Sequence, residues 1–278
     1  MREELEAKYR NLKDMLQDTG GVLVAYSGGA DSTLLLKVAM EALGDRALAV
    51  TASSETYPSE EVKEAVCLAN QMGARLRSIH TDEIESEQFS SNPPERCFYC
   101  KQELFGKLVA IAREEGLPVV ADGSNVDDTG DYRPGMRAAS ELGIRSPLRE
   151  AGFTKAEVRE LSRELGLPTW DKPSFACLAS RFPYGTQITR ERLGQVGAAE
   201  QALRQMGFRQ VRVRHHGDTA RIEVGIEDLA RLVEPETRER IVAELLGLGY
   251  LYVTLDLEGY RTGSMNKPLA HREAARGV

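Results

Sequence analysis

The sequence is poor in the features that mark several protein classes. It has four cysteines in 278 residues, one tryptophan, and an aromatic content of only 6%. Four cysteines at 67, 97, 100 and 177 point to metal or redox chemistry rather than to structural disulfides. No apolar run approaches the roughly 20 residues that a membrane span needs. The N-terminal stretch MREELEAKYRNLKDML is charged and amphipathic, without the apolar core of a signal peptide. A cytoplasmic protein without a membrane partner is expected. Positive charge is also short: 36 Lys and Arg stand against 43 Asp and Glu, a net charge of −7. That balance leaves no electrostatic footprint for long nucleic acid, though a local basic pocket remains possible. There is no G-x-x-x-x-G-K-[ST] loop and no internal repeat.

What is present is a globular composition, 41% hydrophobic, in a chain long enough for one α/β domain plus a smaller one. Periodicity predicts a helix over 2–18, a strand over 22–26, a helix over 33–43 and a strand over 48–52. A helix over 59–72, a strand over 76–80, a polar loop over 81–96, a helix over 101–115 and a strand over 118–122 follow. Strands alternating with helices predict a doubly wound parallel sheet. Thr154 with Glu157 three residues later reads as a capping box opening another helix. Beyond a Pro-, Gly- and Ser-rich stretch at 170–190 the rhythm changes to a helix over 190–206, strands over 210–215 and 220–224, a helix over 235–246 and a strand over 250–256. We therefore expect an α/β domain over 1–180 and a small α+β domain over 181–278, with a frayed tail from 267.

The chemistry concentrates in three places. SGGADS, Ser27 to Ser32, lies between the first strand and the next helix. Gly28 and Gly29 let backbone N–H groups crowd an anion, Ser27 and Ser32 add hydroxyls, and the helix N-terminus adds partial positive charge. Asp31 would repel bare phosphate, so it belongs beside Mg²⁺ or serves as a cap. An ordinary Gly-rich turn is the blander reading. The segment resembles the signature of PP-loop ATP pyrophosphatases, which split ATP between the α and β phosphates. ADGSNVDD, Ala121 to Asp128, is similar to the second nucleotide segment of that class. Asp127 and Asp128 lie beyond the carboxyl end of a strand, where open α/β sheets bind ligands and where paired carboxylates can hold Mg²⁺ or cap a helix. The third place is the cysteines. Cys97 and Cys100 form a Cys-x-x-Cys pair after Pro93-Pro94, and Cys177 stands alone in PSFACLASR. Three soft thiolates invite a metal or an iron–sulfur cluster with one open iron. A redox pair and a buried small Cys177 are the competing readings. Cys67, in an apolar helical context, reads as structural.

NPPERCFYCK, DGSNVDDTGDYRPGMRAASELGIRSPL, WDKPSFACLASRFPYGTQIT and DLEGYRTGSMN together resemble the LarE family, the sulfur transferases of nickel-pincer nucleotide biosynthesis. The resemblance runs from residue 20 to 266. It implies a PP-loop, adenine nucleotide alpha hydrolase-like fold and a small nucleotide substrate, pyridinium-3,5-biscarboxylic acid mononucleotide. ATP would adenylate its carboxylates, and a sulfur nucleophile would displace AMP. In the single-cysteine branch the cysteine matching Cys177 gives up its own sulfur and becomes dehydroalanine. This chain looks like the three-cysteine branch, in which Cys97, Cys100 and Cys177 would hold a [4Fe–4S] cluster carrying the sulfide. The resemblance further implies phosphate binding by Ser180, Arg212 and Arg214, acidic metal positions at Glu200 and Glu223, and a lysine at Lys101 that stabilises charge on the leaving phosphates. Arg181, next to Ser180, can grip a phosphate or carboxylate through a charge-assisted fork. A homo-hexamer and a sulfide-donor protein are implied as partners. Without the resemblance, Arg212 and Arg214 read as a solvated strand face. A tRNA thiolase, an amide-forming ligase and a nucleotide-sensing module are the competing functions. The acidic balance opposes the first, and the cysteines are unexplained by the second.

Overall fold

The computed structural model describes residues 2–130, 134–173, 176–261 and 265. The tail expected to fray lies outside the described residues. Among the described residues the first half of the chain runs α1 (Glu3–Gln17), β1 (Val22–Ala25), α2 (Ala30–Leu43), β2 (Ala47–Ser53), α3 (Ser59–Gln71) and β3 (Arg75–His80). It continues through α4 (Glu87–Ser90), α5 (Arg96–Glu114), β4 (Val119–Ala121), α6 (Pro134–Glu141), α7 (Pro147–Glu150) and α8 (Lys155–Glu164). The rest comprises α9 (Arg190–Gln205), β5 (Val211–His216), β6 (Thr219–Val224), α10 (Leu229–Val233), α11 (Pro235–Gly247) and β7 (Tyr252–Leu255). Two compact units result: Met1–Phe89 with Pro94–Phe175, and Ser90–Pro93 with Ala176–Val278.

The first unit is built on a parallel sheet of order β3-β2-β1-β4. Side chains alternate across a strand, so an apolar strand feeds two cores at once. Val22 and Val24 of β1, Ala47 and Ala49 of β2 and Ala121 of β4 join one core with α1, α2, α3 and α8. Leu23, Leu48, Val50 and Val120 join the opposite core with α5 and α6. Helices therefore cover both faces, as the continuous apolar strands predict. The chain leaves β1 toward β2 on one side, while β4 lies on the other. The carboxyl ends of β1 and β4 form the switch point of the sheet, the place where α/β folds bind ligands.

The second unit has a smaller sheet of order β5-β6-β7, with β5 and β6 antiparallel and β6 and β7 parallel. Its core joins Ala199 and Leu203 of α9, Val211, Val213, Ile222 and Val224 of the strands, and Ile241 and Leu245 of α11. Four residues of the segment 81–96, which reads as a loop, belong here. Gly185 N donates to Asn92 O at 2.9 Å, Ile188 N to Ser90 O at 2.8 Å, and Asn92 Nδ2 to Pro183 O at 2.8 Å.

Candidate functional site

The phosphate loop follows directly from the end of β1. Gly28 has φ +70, a left-handed conformation, and a Cβ there would lie 2.6 Å from Ala65 Cβ of α3. Only glycine meets both demands. Ser32 Oγ accepts from Ser27 N at 3.3 Å and lies 3.1 Å from Ser27 Oγ, closing the loop on itself. Gly29 is the N-cap of α2 and offers no side-chain cap. The first-turn N–H groups of the helix thus have no intrahelical acceptor and face outward, which is the arrangement that binds anions.

The second segment meets this loop at the switch point. A Cβ on Gly123 would stand 2.9 Å from Ser32 N and 3.2 Å from the Asp31 carbonyl carbon, so the two backbones touch. Asn125 Nδ2 donates to Asp31 Oδ1 at 3.0 Å. Asp128 Oδ2 accepts from Asn125 N at 2.9 Å, and Asp127 Oδ2 accepts from Lys155 N at 2.8 Å. Asp127 thereby caps the first N–H of α8. The Thr154–Glu157 capping box is present, as the sequence predicts. It brings in a residue that the sequence reading passed over: Lys155 Nζ forms an ion pair with Asp31 Oδ2. A signal existed. Lysine at the first position of a helix opposes the macrodipole, so a cation placed there has another partner to serve.

The cysteines are disposed differently from the sequence expectation. Helix α5 begins at Arg96, not at Lys101, so Cys97 and Cys100 lie within it and one turn apart, on one face. Cys97 is exposed and Cys100 half-buried. Lys101 Nζ lies 5.1 Å from the Phe105 ring centroid, and Arg137 covers the Phe98 ring at 4.1 Å. Cys177 belongs to the second unit. It is the N-cap of the short turn Leu178–Arg181, and its Sγ accepts from Ala179 N at 3.4 Å. No disulfide joins the four cysteines. Among the described residues, no three His, Cys, Asp or Glu side chains gather as a metal-binding set.

The second unit buries a ladder of charge. Arg181 and Glu200 are both 0% exposed and form a two-pronged pair, Nε to Oε1 and Nη2 to Oε2, each at 2.8 Å. Arg181 Nη1 also donates to Ala176 O at 2.7 Å, Cys177 O at 3.1 Å and Ser180 Oγ at 2.9 Å. This guanidinium holds the cysteine turn in place, whereas the sequence reading gave it a ligand to grip. Glu200 also accepts from Val213 N at 3.0 Å and Arg204 Nη2 at 2.8 Å. Burial pushes the Glu200 carboxyl up, but the Arg181 guanidinium, with Arg212 and Val213 N–H, outweighs it and the net direction is down. Glu223 accepts from Arg214 Nη2 at 2.6 Å and Arg221 Nη2 at 3.2 Å. Both carboxylates assigned to a metal are thus in arginine ion pairs. Arg214 Nη1 also donates to Ser180 O at 3.1 Å. Arg212 and Arg214 share one face of β5, and both are buried rather than solvated. Arg212 rests over the Tyr260 ring at 5.1 Å, and burial, reinforced by the charge of Arg181, pushes it down to about 10. Three buried guanidiniums, Arg181, Arg212 and Arg214, face two buried carboxylates.

These features match known proteins. The NAD synthase family profile matches residues 4–103, the part that carries the phosphate loop. A pyridinium-3,5-bisthiocarboxylic acid mononucleotide synthase of Lactiplantibacillus plantarum is 42% identical over 280 residues, covering 98% of this chain and 98% of that protein. The chain belongs to that synthase family. It is the LarE family of the sequence resemblance, and the chain is an ATP-dependent enzyme. A Synechocystis protein of unspecified activity is 46% identical over 265 residues, 95% of this chain and 99% of its own length. A tRNA-specific 2-thiouridylase of Herpetosiphon aurantiacus is 29% identical over 192 residues, 55% of this chain and 53% of its own. The synthase family covers both units. The thiouridylase match covers little more than half the chain.

Proposed function

We propose that the enzyme converts the carboxylates of pyridinium-3,5-biscarboxylic acid mononucleotide to thiocarboxylates. The observation that carries this reading is the near-complete alignment with the bisthiocarboxylate synthase, joined to a phosphate loop at a sheet switch point. The α2 N-terminus and the Ser27 and Ser32 hydroxyls hold the ATP phosphates, with Mg²⁺ entering with the nucleotide beside Asp31 and Asp128. A substrate carboxylate oxygen attacks the α-phosphorus. The bond to the β-phosphate bridging oxygen breaks, and pyrophosphate leaves with the electron pair. Arg212, Arg214 and Ser180 hold the substrate's own phosphate. Lys101 supplies a cation near the leaving group. Sulfur then attacks the activated carbonyl carbon, and AMP departs.

The sulfur source has two readings. Cys97 and Cys100, on one face of α5, have the donor chemistry and spacing for two ligands of a [4Fe–4S] cluster, with Cys177 as the third. Such a cluster, when bound, supplies an open iron that carries sulfide. The second reading starts from Cys177 itself, half-buried in its fixed turn. In it, the Cys177 thiolate forms a thioester, its Cα proton is removed, and the Cβ–S bond breaks to leave dehydroalanine and the thiocarboxylate. A homo-hexamer and a separate sulfide donor complete the proposal. The test is ATP–pyrophosphate exchange that depends on the dicarboxylate nucleotide, followed by mass spectrometry of the product. A sulfur-free product, or exchange stimulated by tRNA instead, overturns the reading.

A further inference from the structure

Glu83 follows β3, in the short turn Glu83–Glu85, and is only 2% exposed. The reaction described above makes no use of it. Its Oε1 accepts from Ser54 Oγ at 2.7 Å and from Thr56 Oγ1 at 2.6 Å, both in the connection between β2 and α3. Its Oε2 is buried and has no hydrogen-bond partner. The cations nearest in sequence are engaged elsewhere: His80 and Lys107 pair with Asp82, and Lys107 also with Glu103. Among the described residues none forms an ion pair with Glu83. A carboxylate sealed from water without a counter-charge loses its solvation and gains nothing in return.

The hydrogen count around it is also short. Ser54 Oγ and Thr56 Oγ1 lie 2.8 Å apart, so each of the three oxygens is within hydrogen-bond distance of the other two. A hydroxyl carries one hydrogen and a carboxylate none. Three contacts therefore share two hydrogens. If both hydroxyls donate to Glu83, their own contact holds no hydrogen and lone pairs face each other. Thr56 N donates to Ser54 Oγ at 3.2 Å and keeps that oxygen in place. A cation seated on these lone pairs removes the repulsion and balances the carboxylate at once.

We propose that Ser54, Thr56 and Glu83 form a binding site for a monovalent alkali cation, which fastens the β2–α3 connection to the end of β3. The donors are hard oxygens, the kind that bind such ions, with no thiolate or imidazole for a transition metal. One negative charge is matched by one positive charge. Mg²⁺ would bring a second charge and demands a near-ideal octahedron of ligands. The consequence reaches α3, which begins at Ser59 just beyond the connection and sets Ala65 against Gly28 of the phosphate loop.

The test follows thermal unfolding of the full-length protein in potassium, sodium and tetramethylammonium chloride at equal ionic strength, without nucleotide. Tetramethylammonium has the same charge but is too large for a cradle of three oxygens in mutual contact. An alkali cation well above its dissociation constant is expected to raise the melting temperature by about 2–5 °C over tetramethylammonium. The ion with the larger effect is the one the site prefers. Glu83→Gln keeps the shape of the side chain without the charge, and is expected to melt alike in all three salts. Equal melting temperatures of the wild-type protein overturn the proposal, since a proton on Glu83 then closes the hydrogen count. A salt difference that survives in Glu83→Gln overturns it as well, because the ion then binds elsewhere. A second measurement needs no variant. Thallium(I), a heavy cation close to potassium in size, is soaked into crystals of the wild-type protein. An anomalous peak is expected beside Ser54 Oγ, Thr56 Oγ1 and Glu83, and its absence there overturns the proposal even if Glu83→Gln fails to fold. None of these readouts depends on ATP or on sulfur transfer.

Discussion

Arg181 and Glu200 illustrate how a buried residue pair bears on stability. Each is sealed from solvent, and each satisfies the other. Removing one partner strands a buried charge, which costs about 3–5 kcal/mol. Glu200→Gln and Arg181→Met are therefore expected to lower the urea midpoint strongly, and a midpoint near wild type would refute the pairing. The pH dependence has a definite sign. Glu200 is held below its ordinary value by Arg181. Its contribution is present above the unfolded carboxylate value of about 4.3 and is lost as pH falls through the lower folded value. Urea curves taken across the acidic range should show a shallower acid limb in Glu200→Gln. Arg212 has a different expectation. Arg212→Ala removes a buried cation whose pKa burial already lowers, and leaves the Arg181–Glu200 and Arg214–Glu223 pairs standing. Affinity for the dicarboxylate nucleotide should fall by roughly 1.5–3 kcal/mol while ATP affinity holds. Arg214→Ala is a less clean probe, since it also deprives Glu223 of a partner at 2.6 Å.

At the scale of elements, the loop between β1 and α2 is tuned by its neighbour α3. Gly28→Ala forces a Cβ to within 2.6 Å of Ala65 Cβ in a left-handed backbone conformation. Either α3 moves or the loop does. Overpacking of this kind costs typically about 1–3 kcal/mol. Nucleotide affinity should fall along with the melting temperature, and an alanine variant that binds ATP normally would show that the loop tolerates displacement. Helix α8 acts through its start. Thr154→Ala removes the capping box and should cost about 0.5–2 kcal/mol of stability. A urea midpoint equal to that of the wild type would refute the cap.

For the molecule as a whole, the open chemical question is whether one chain acts once or many times. The cluster reading predicts several product molecules per chain in anaerobically reconstituted protein, with turnover lost in Cys97→Ala, Cys100→Ala and Cys177→Ala alike. Cys67, exposed on α3 beside Gln71, is expected to be dispensable. The sacrificial reading predicts a single event, a Cys177 lighter by hydrogen sulfide, and an active Cys97→Ala. Intact mass and iron counts on one sample decide between them. Neither outcome disturbs the membership of the chain in the synthase family.

The sequence by itself determined the first unit's sheet, because strands buried on both faces are continuous apolar runs and because the turn chemistry of SGGADS has few other uses. It also determined the strand–turn–helix setting of SGGADS and the shared face of Arg212 and Arg214, which follow from local pattern alone. It misplaced the start of α5, since Cys97 and Cys100 carry no helical pattern of their own. Only tertiary structure decided what the charged residues do. Arg212 and Arg214 read as solvated in a period-two pattern, yet burial against Tyr260 and Glu223 makes them part of a sealed ladder. Arg181 looked like a ligand grip and is instead the tether of the Cys177 turn. Lys155 stands 124 positions from Asp31. No local pattern links two residues so far apart. Their meeting is fixed by where the sheet puts the ends of β1 and β4 and by the helix that packs beside them, and a charge is given its role by the neighbour it meets.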